Sequence, residues 1–474
     1  MPLVFLAILP VGGYGRAYTG YSGSASDGTM TVEAGRWLAK LANARDGELR
    51  AVLWSFAYFF FLLASYFILR PIRDEMGIAA GRNNLQWLFT ATFFAMLIAS
   101  PIYAWAVARL SRRVFIPLVY RFFALILVGF WAVLQSGWQR ELTAQAFFVW
   151  VSVFNLFAVS VFWSFLTDLF RGEQGKRLFG FIAAGGSAGT LLGSTITVSL
   201  AGVIGPAALL IVAAILLEIA VLCAWRLERS QRGSAGETPQ QGADAAAGDR
   251  AMGGSMLEGF WLVLRSPYLA GIGLWVLLLS LAGTFLYFMQ QDVVRNASTD
   301  PAVRTQIFAT MDLIASGLTI ALQLIVTGRL IQKIGSGPAA ALLPAVFALG
   351  FLALALSPIL AVVVAFQALQ RTANFAFSNP ARELFFTAVD RHERYKAKNL
   401  IDAALFRGGD VIWGWAFTGL RGLGASMSTI AMIAVPISLT WLGLSLVLGR
   451  TEERRNAGNS TIPAPSANPA DGRA

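Results

Sequence analysis

The chain has 474 residues, 56% of them hydrophobic and 13% charged, with a mean hydropathy of +0.62. That balance excludes an ordinary soluble domain and places the chain in a bilayer. A formal charge of +11 invites a nucleic-acid reading, but the basic residues follow a membrane pattern, and no nucleic-acid partner is expected.

Residues 1–50 read as an N-terminal cytoplasmic segment. The opening MPLVFLAILPVGGYG is apolar but has no basic residues before it, which makes a poor signal peptide. Translation is expected to start at Met30, because MTVEAGRWLAKLANARDGELR has the spacing of an amphipathic helix leading into the membrane.

Apolar runs of about twenty residues, the length that spans a bilayer as a helix, lie near 51–70, 84–105, 114–134, 143–166, 178–202 and 206–226. Six more lie near 269–290, 305–328, 338–357, 359–380, 400–420 and 427–449. The expected fold is all-α, with twelve transmembrane helices in two six-helix bundles, 51–226 and 256–450. Residues 227–255 are small, polar and aperiodic and read as a flexible cytoplasmic linker; 451–474 reads as a disordered tail.

With both termini cytoplasmic, the tails and inner loops hold 27 of the 37 Lys and Arg residues and the outer loops hold seven, while Arg121, Arg371 and Arg407 fall inside spans. This predicts a multi-pass protein of the bacterial inner membrane. The halves also repeat: VARLSRRVF at 107–115 pairs with TGRLIQKIG at 327–335, Tyr66-Phe67 with Tyr287-Phe288, and Leu178 with Leu400, at offsets of 220 to 222. Six spans per copy give both copies one orientation, the parallel-repeat arrangement of major-facilitator-like folds.

One cysteine, Cys223, and one histidine, His392, exclude a disulfide framework and a zinc cluster and argue against a nucleophilic enzyme centre. GEQGK at 172–176 lacks the spacing of a phosphate loop. No enzyme activity, cofactor or metal is expected.

The charges within spans carry the functional reading, since a charge in hydrocarbon is costly and usually faces protein, water or a solute path. In SYFILRPIRDEMG, residues 65–77, Pro71 is expected to break the first helix, with Gly77 ending a short second piece. Arg70 and Arg73 at that break suit a phosphate or carboxylate, because guanidinium groups offer paired planar donors. The rival is that both snorkel outward or pair with Asp74 and Glu75. Arg371 and Asn374 share a helix face three residues apart. Glu218 and Asp312, acids inside spans, are the candidates for a coupling proton. The glycines of FIAAGGSAGTLLGS, Gly185, Gly189 and Gly193, are spaced for close helix approach.

Three segments resemble the nucleotide exchange translocases, the ATP/ADP or NTP/NDP antiporters related distantly to the major facilitator superfamily. They are YFILRPIRDEMG at 66–77, FWSFLTDLFRGEQGKRLFGFIAAGG at 162–186 and NPARELFFTAVDRHERYKAKNLIDAALFRGGD at 379–410. The resemblance covers roughly 50–450. It implies a monomeric twelve-helix exchanger of a small anionic solute such as ATP or ADP, with Arg70, Arg73, Asp168, Arg382 and Lys398 on motif positions. Arg73 stands where transporting members usually carry lysine, and Asp292 near an expected glutamate. The alternatives are a proton-coupled facilitator for another metabolite or drug, and a non-transporting receptor or assembly protein on the same fold.

Overall fold

The computed structural model describes residues 44–460, apart from 46–47, 82, 110–111, 171–172, 233–255, 324–332, 391–392, 395–396 and 399. Met30, His392, the linker after 232, the tail after 460 and most of the second basic loop repeat lie outside the described residues. The elements are helical throughout: α1 (Leu49–Ala79), α2 (Leu85–Arg109), α3 (Arg112–Ser136), α4 (Arg140–Leu169), α5 (Glu173–Arg232), α6 (Met256–Arg265), α7 (Pro267–Ala297), α8 (Pro301–Leu322), α9 (Ser336–Leu356), α10 (Leu360–Ala373), α11 (Asn379–Phe385), α12 (Phe406–Gly422) and α13 (Met427–Ser460). Two π-helical pieces, Asn374–Ser378 and Leu400–Leu405, join α10 to α11 and lead into α12.

Ten described helical stretches are long and apolar enough to cross a membrane. One of them, in α5, is 54 residues long and leaves helical geometry at Gly205 (φ 80, ψ 158), immediately before Pro206. Only glycine takes that backbone conformation cheaply, and proline can begin the helix that follows. Counting that stretch twice and adding α12 gives the twelve passes that the apolar runs require.

Two expectations need correction. Pro71 does not break α1, which runs unbroken from Leu49 to Ala79. The fixed proline φ is helical, so the cost is one lost backbone hydrogen bond and the crowding of the carbonyl four residues earlier, and α1 stays helical with Leu69, Pro71 and Ile72 all buried. Nor does the final helix stop near 450. It continues to Ser460, with Glu452 buried and its carboxylate accepting hydrogen bonds from Ser336 Oγ (2.7 Å) and Asn456 Nδ2 (2.6 Å).

The chain forms two compact units, each drawing on both halves of the sequence. The first takes the residues up to Ala251 with Tyr287–Ala321 and Ile359–Ala368; the second takes Met252–Leu286, Leu322–Pro358 and Leu369–Ala474. In the first, α1 and α5 pack backbone to backbone: a Cβ on Gly185, Gly189 or Gly193 would lie 2.7, 2.2 or 2.3 Å from the carbonyl oxygens of Phe56, Phe60 and Ala64. Both sets step by four residues, so one ridge of α5 seats along one ridge of α1. Beside it, Phe59 stacks on Phe162 at 4.1 Å, and Tyr58 donates to Tyr120, which donates to the Ala158 carbonyl. In the second unit α9 and α13 meet at Gly337 and Gly449, where a Cβ on Gly449 would fall 2.2 Å from the partner Cα. Trp275 anchors α7 to α13 through Ser445 Oγ at 2.8 Å and an edge-on contact with Trp441.

Candidate functional site

The last three turns of α1 carry Arg70, Arg73, Asp74 and Glu75 into the interior of the first unit. Asp74 and Glu75 are each 1% exposed. Charges so placed persist only when paired, and each finds a partner. Asp74 Oδ1 accepts from Arg73 Nη2 (2.6 Å) and Nε (3.1 Å) and from the Tyr287 hydroxyl of α7 (2.9 Å). Glu75 Oε1 accepts from Arg304 Nη2 of α8 at 2.6 Å. Arg70 Nη1 lies 3.6 Å from Asp312 Oδ1 of α8, beyond hydrogen-bond length, and its side chain is 21% exposed.

Three guanidinium groups therefore face three carboxylates across α1 and α8, with the Tyr287 hydroxyl of α7 among them. Aromatic rings flank them: the Arg73 guanidinium sits 5.2 Å from the Phe148 ring centre, Arg70 sits 5.6 Å from that of Phe67, and Phe89 approaches Tyr287 at 5.5 Å. Gly77, one turn beyond Arg73, leaves room for Phe148 and for the amide of Gln291, which would stand 3.2 and 3.5 Å from a Cβ there. Gln291 is buried, and neither its Nε2 nor its Oε1 has a hydrogen-bond partner. Next to it, Gln290 accepts from Gln367 of α10.

The structure thus gathers Arg70, Arg73 and Asp312 from the sequence candidates. It adds Tyr287, Gln291 and Arg304, which the sequence did not single out. Tyr287 had one signal, its repeat pairing with Tyr66; Arg304 stood among the outer-loop charges and gave none.

Arg382 and Lys398 form another cluster in the second unit. Lys398 Nζ meets Glu383 Oε2 at 2.5 Å, and Arg382 lies 3.3 Å from Asp402 and 3.8 Å from Glu383. Arg371 is buried on α10, while Asn374 begins a π-helical register, half-buried with its Oδ1 unpartnered. Asp168 is half-buried at the end of α4. Glu218 stands apart, on an exposed face of α5, 3.5 Å from Arg121 of α3, with the two side chains 46% and 62% exposed. Among the described residues, no group of three or more His, Cys, Asp or Glu side chains is placed to hold a metal ion.

The sequence profile of the Major Facilitator Superfamily matches residues 51–394, well over half of the chain. The protein belongs to the major facilitator superfamily. Among solved structures, a mutant of the nucleoside transporter NupG is similar over 86% of this chain and 100% of its own, at 16% identity and a TM-score of 0.59. Another NupG structure is similar over 87% of this chain and 99% of its own, at 16% identity and a TM-score of 0.51. At that identity the likeness speaks for the fold. No curated protein matches the chain in sequence. A major facilitator fold is a membrane transporter's, so the charge cluster of α1 and α8 belongs to a transporter.

Proposed function

We propose that this protein is a secondary transporter of an anionic, phosphorylated solute, working by alternating access, and that nucleotide exchange, NTP against NDP, is its most specific form. The observation that carries this reading is the looseness of Arg70. Arg73 and Arg304 are closed onto carboxylates at 2.6 Å, whereas Arg70 faces Asp312 only at 3.6 Å. An arriving phosphate can take the Arg70 fork with little to displace, and charge-assisted bonds of this kind are worth about 1.5–3 kcal/mol each. In this reading Arg70 holds the anion first and Arg73 joins it by turning from Asp74, the chain is monomeric, and it sits in a bacterial plasma membrane with both termini inside.

A specific observation also favours a neutral nucleoside. The three arginines are balanced by three carboxylates, and Gln291 offers a buried amide with an unused donor and acceptor, suited to the hydrogen-bonding edge of a base. The structural neighbours are nucleoside transporters.

Uptake of labelled ATP into liposomes holding the purified protein, with and without ADP inside, tests the first reading. Stimulation by internal ADP establishes exchange, and Arg70→Gln is then expected to lower uptake at least about tenfold, the loss of one charge-assisted contact. Labelled nucleoside taken up in place of ATP, with no loss in Arg70→Gln, would replace this reading with the neutral one.

A further inference from the structure

Inside the second unit, α7 and α12 enclose a carboxylate that neither the sequence candidates nor the cluster around Arg70 includes. Asp410 lies on α12 with its side chain 19% exposed. Ser280 and Thr284, one turn apart near the middle of α7, point at it: Ser280 Oγ is 2.6 Å and Thr284 Oγ1 3.4 Å from Asp410 Oδ1. Gly409 makes the approach possible, because a Cβ there would fall 2.8 Å from Ser280 Oγ. The other oxygen, Oδ2, lies 3.8 Å from Arg407 Nη1, whose side chain is 40% exposed. Among the described residues, the polar groups facing Asp410 are two hydroxyls from α7 and one guanidinium from its own helix. One turn further, Trp413 Nε1 donates to the Leu277 carbonyl at 3.1 Å and fixes the same pair of helices.

Ser280 Oγ has a second acceptor within reach, the Phe406 carbonyl at 3.2 Å. A hydroxyl has one hydrogen and can direct it to only one of the two. With Asp410 ionised, Ser280 donates to Oδ1. With Asp410 protonated, the new O–H donates to Ser280 Oγ and the serine hydrogen turns to Phe406. In either protonation state Asp410 Oδ1 and Ser280 Oγ stay hydrogen-bonded to each other and the serine hydrogen keeps an acceptor, without moving a heavy atom, which a purely structural aspartate does not need. Burial without such a partner in one state would penalise that state.

We propose that Asp410 is a proton-binding site of the transport cycle, switched between two hydrogen-bonded states by Ser280. The carboxylate takes one proton from water and returns one to water, with no other bond changed. Protonation removes the negative partner of Arg407 and leaves its guanidinium free for an anion, so proton and anion favour each other's binding at this end of α12. This coupling rests on the anion-transport reading. A nucleoside triphosphate carries more negative charge than its diphosphate, and a proton bound with the triphosphate offsets part of the difference.

Infrared difference spectroscopy of the reconstituted full-length protein across a pH titration, with no solute present, tests the site independently of that reading. A protonated-carboxyl stretch is expected to grow on acidification, to disappear in Asp410→Asn and to shift in frequency in Ser280→Ala, which keeps the acid but removes its relay. A titrating stretch retained unchanged in both variants would assign it to another acid and overturn the proposal. Absence of any titrating stretch in the wild-type protein would overturn it as well, showing Asp410 fixed in one state. Failure of ATP uptake, by contrast, would leave the titration result standing and reject the anion assignment alone.

Discussion

The two charged clusters outside the Asp410 site are built differently. Around α1 the hydrogen bonds and ion pairs that link the charged cluster between helices join residues more than 200 positions apart: Asp74 to Tyr287, Glu75 to Arg304, Arg70 to Asp312. Around α11 the partners are neighbours in sequence, Glu383 to Lys398 fifteen residues on and Arg382 to Asp402 twenty on. The first kind ties the sequence halves to each other; the second ties one stretch of chain to itself. Long-range buried charges are therefore the ones whose loss should be felt by the whole first unit.

The largest effect expected is at Glu75 and Arg304. Their side chains are 1% and 11% exposed, and removing one partner of a buried pair costs about 3–5 kcal/mol because the other is left charged and unsolvated. Glu75→Ala should lower the midpoint of thermal unfolding in detergent sharply, and Arg304→Ala should do the same. If either variant melts like the wild-type protein, the pair is not the tie between the halves that its geometry indicates.

Next comes the α1–α5 seam. Gly189→Val places a branched side chain against the Phe60 carbonyl, already 2.2 Å from a bare Cβ, and overpacking of this kind costs about 1–3 kcal/mol or more. Gly205→Ala is a useful contrast. No atom lies within 4 Å of a Cβ there, so any loss reports the glycine-only backbone conformation alone, about 1–3 kcal/mol. A larger loss at Gly205 than at Gly189 would reverse the view that close approach, not backbone freedom, governs the first unit.

Lys398→Ala should cost less than either. Lys398 and Glu383 are 28% and 17% exposed, and partly exposed pairs contribute about 0–1 kcal/mol. Equal destabilisation by Lys398→Ala and Arg304→Ala would remove the distinction between local and long-range clusters.

These contrasts also mark what the sequence could disclose. Apolar length located the spans, because the cost of unpaired backbone in hydrocarbon enforces helices of that length, and Gly205-Pro206 fell where the fifth and sixth passes were separated. Glycine spacing disclosed that another helix approaches α5 closely, because small residues every four positions line one face, but not that α1 is the partner. The break expected at Pro71 did not occur, since local propensity lost to the burial of α1 along most of its length. Arg70 and Arg73 were visible as charges at the end of an apolar run. That Arg70 would be the loose member, and that Arg304 would answer Glu75, could not be read from separations of 229 residues or more. Asp410 was visible as an acid in a span but not as one capped by Ser280 and Thr284, because that depends on which faces of α7 and α12 meet. The helix beyond 450 escaped a compositional reading because Glu452 is satisfied by Ser336, 116 residues earlier.

The smallest effect lies where α1 begins. Glu48 Oε2 accepts from Arg177 Nη2 at 2.7 Å and from the Arg45 backbone N–H at 2.8 Å, and Oε1 accepts from Gln174 at 3.0 Å. Partial burial pushes this carboxyl up, but the Arg45 N–H and the Arg177 guanidinium together outweigh it and hold Glu48 below the ordinary carboxylate range. A group whose folded-state proton affinity is depressed stabilises the fold above its unfolded-state pKa and loses that contribution as pH falls through the folded value. Glu48→Gln should therefore melt slightly below the wild-type protein at neutral pH, by the 0–1 kcal/mol typical of a partly exposed pair, about. On acidification below the carboxylate range the two melting curves should converge, because the wild-type side chain has then become neutral as well. A gap that stays constant with pH would mean that Glu48 acts through packing and its Gln174 contact, and that the charge on Arg177 contributes nothing to holding α5 against the start of α1.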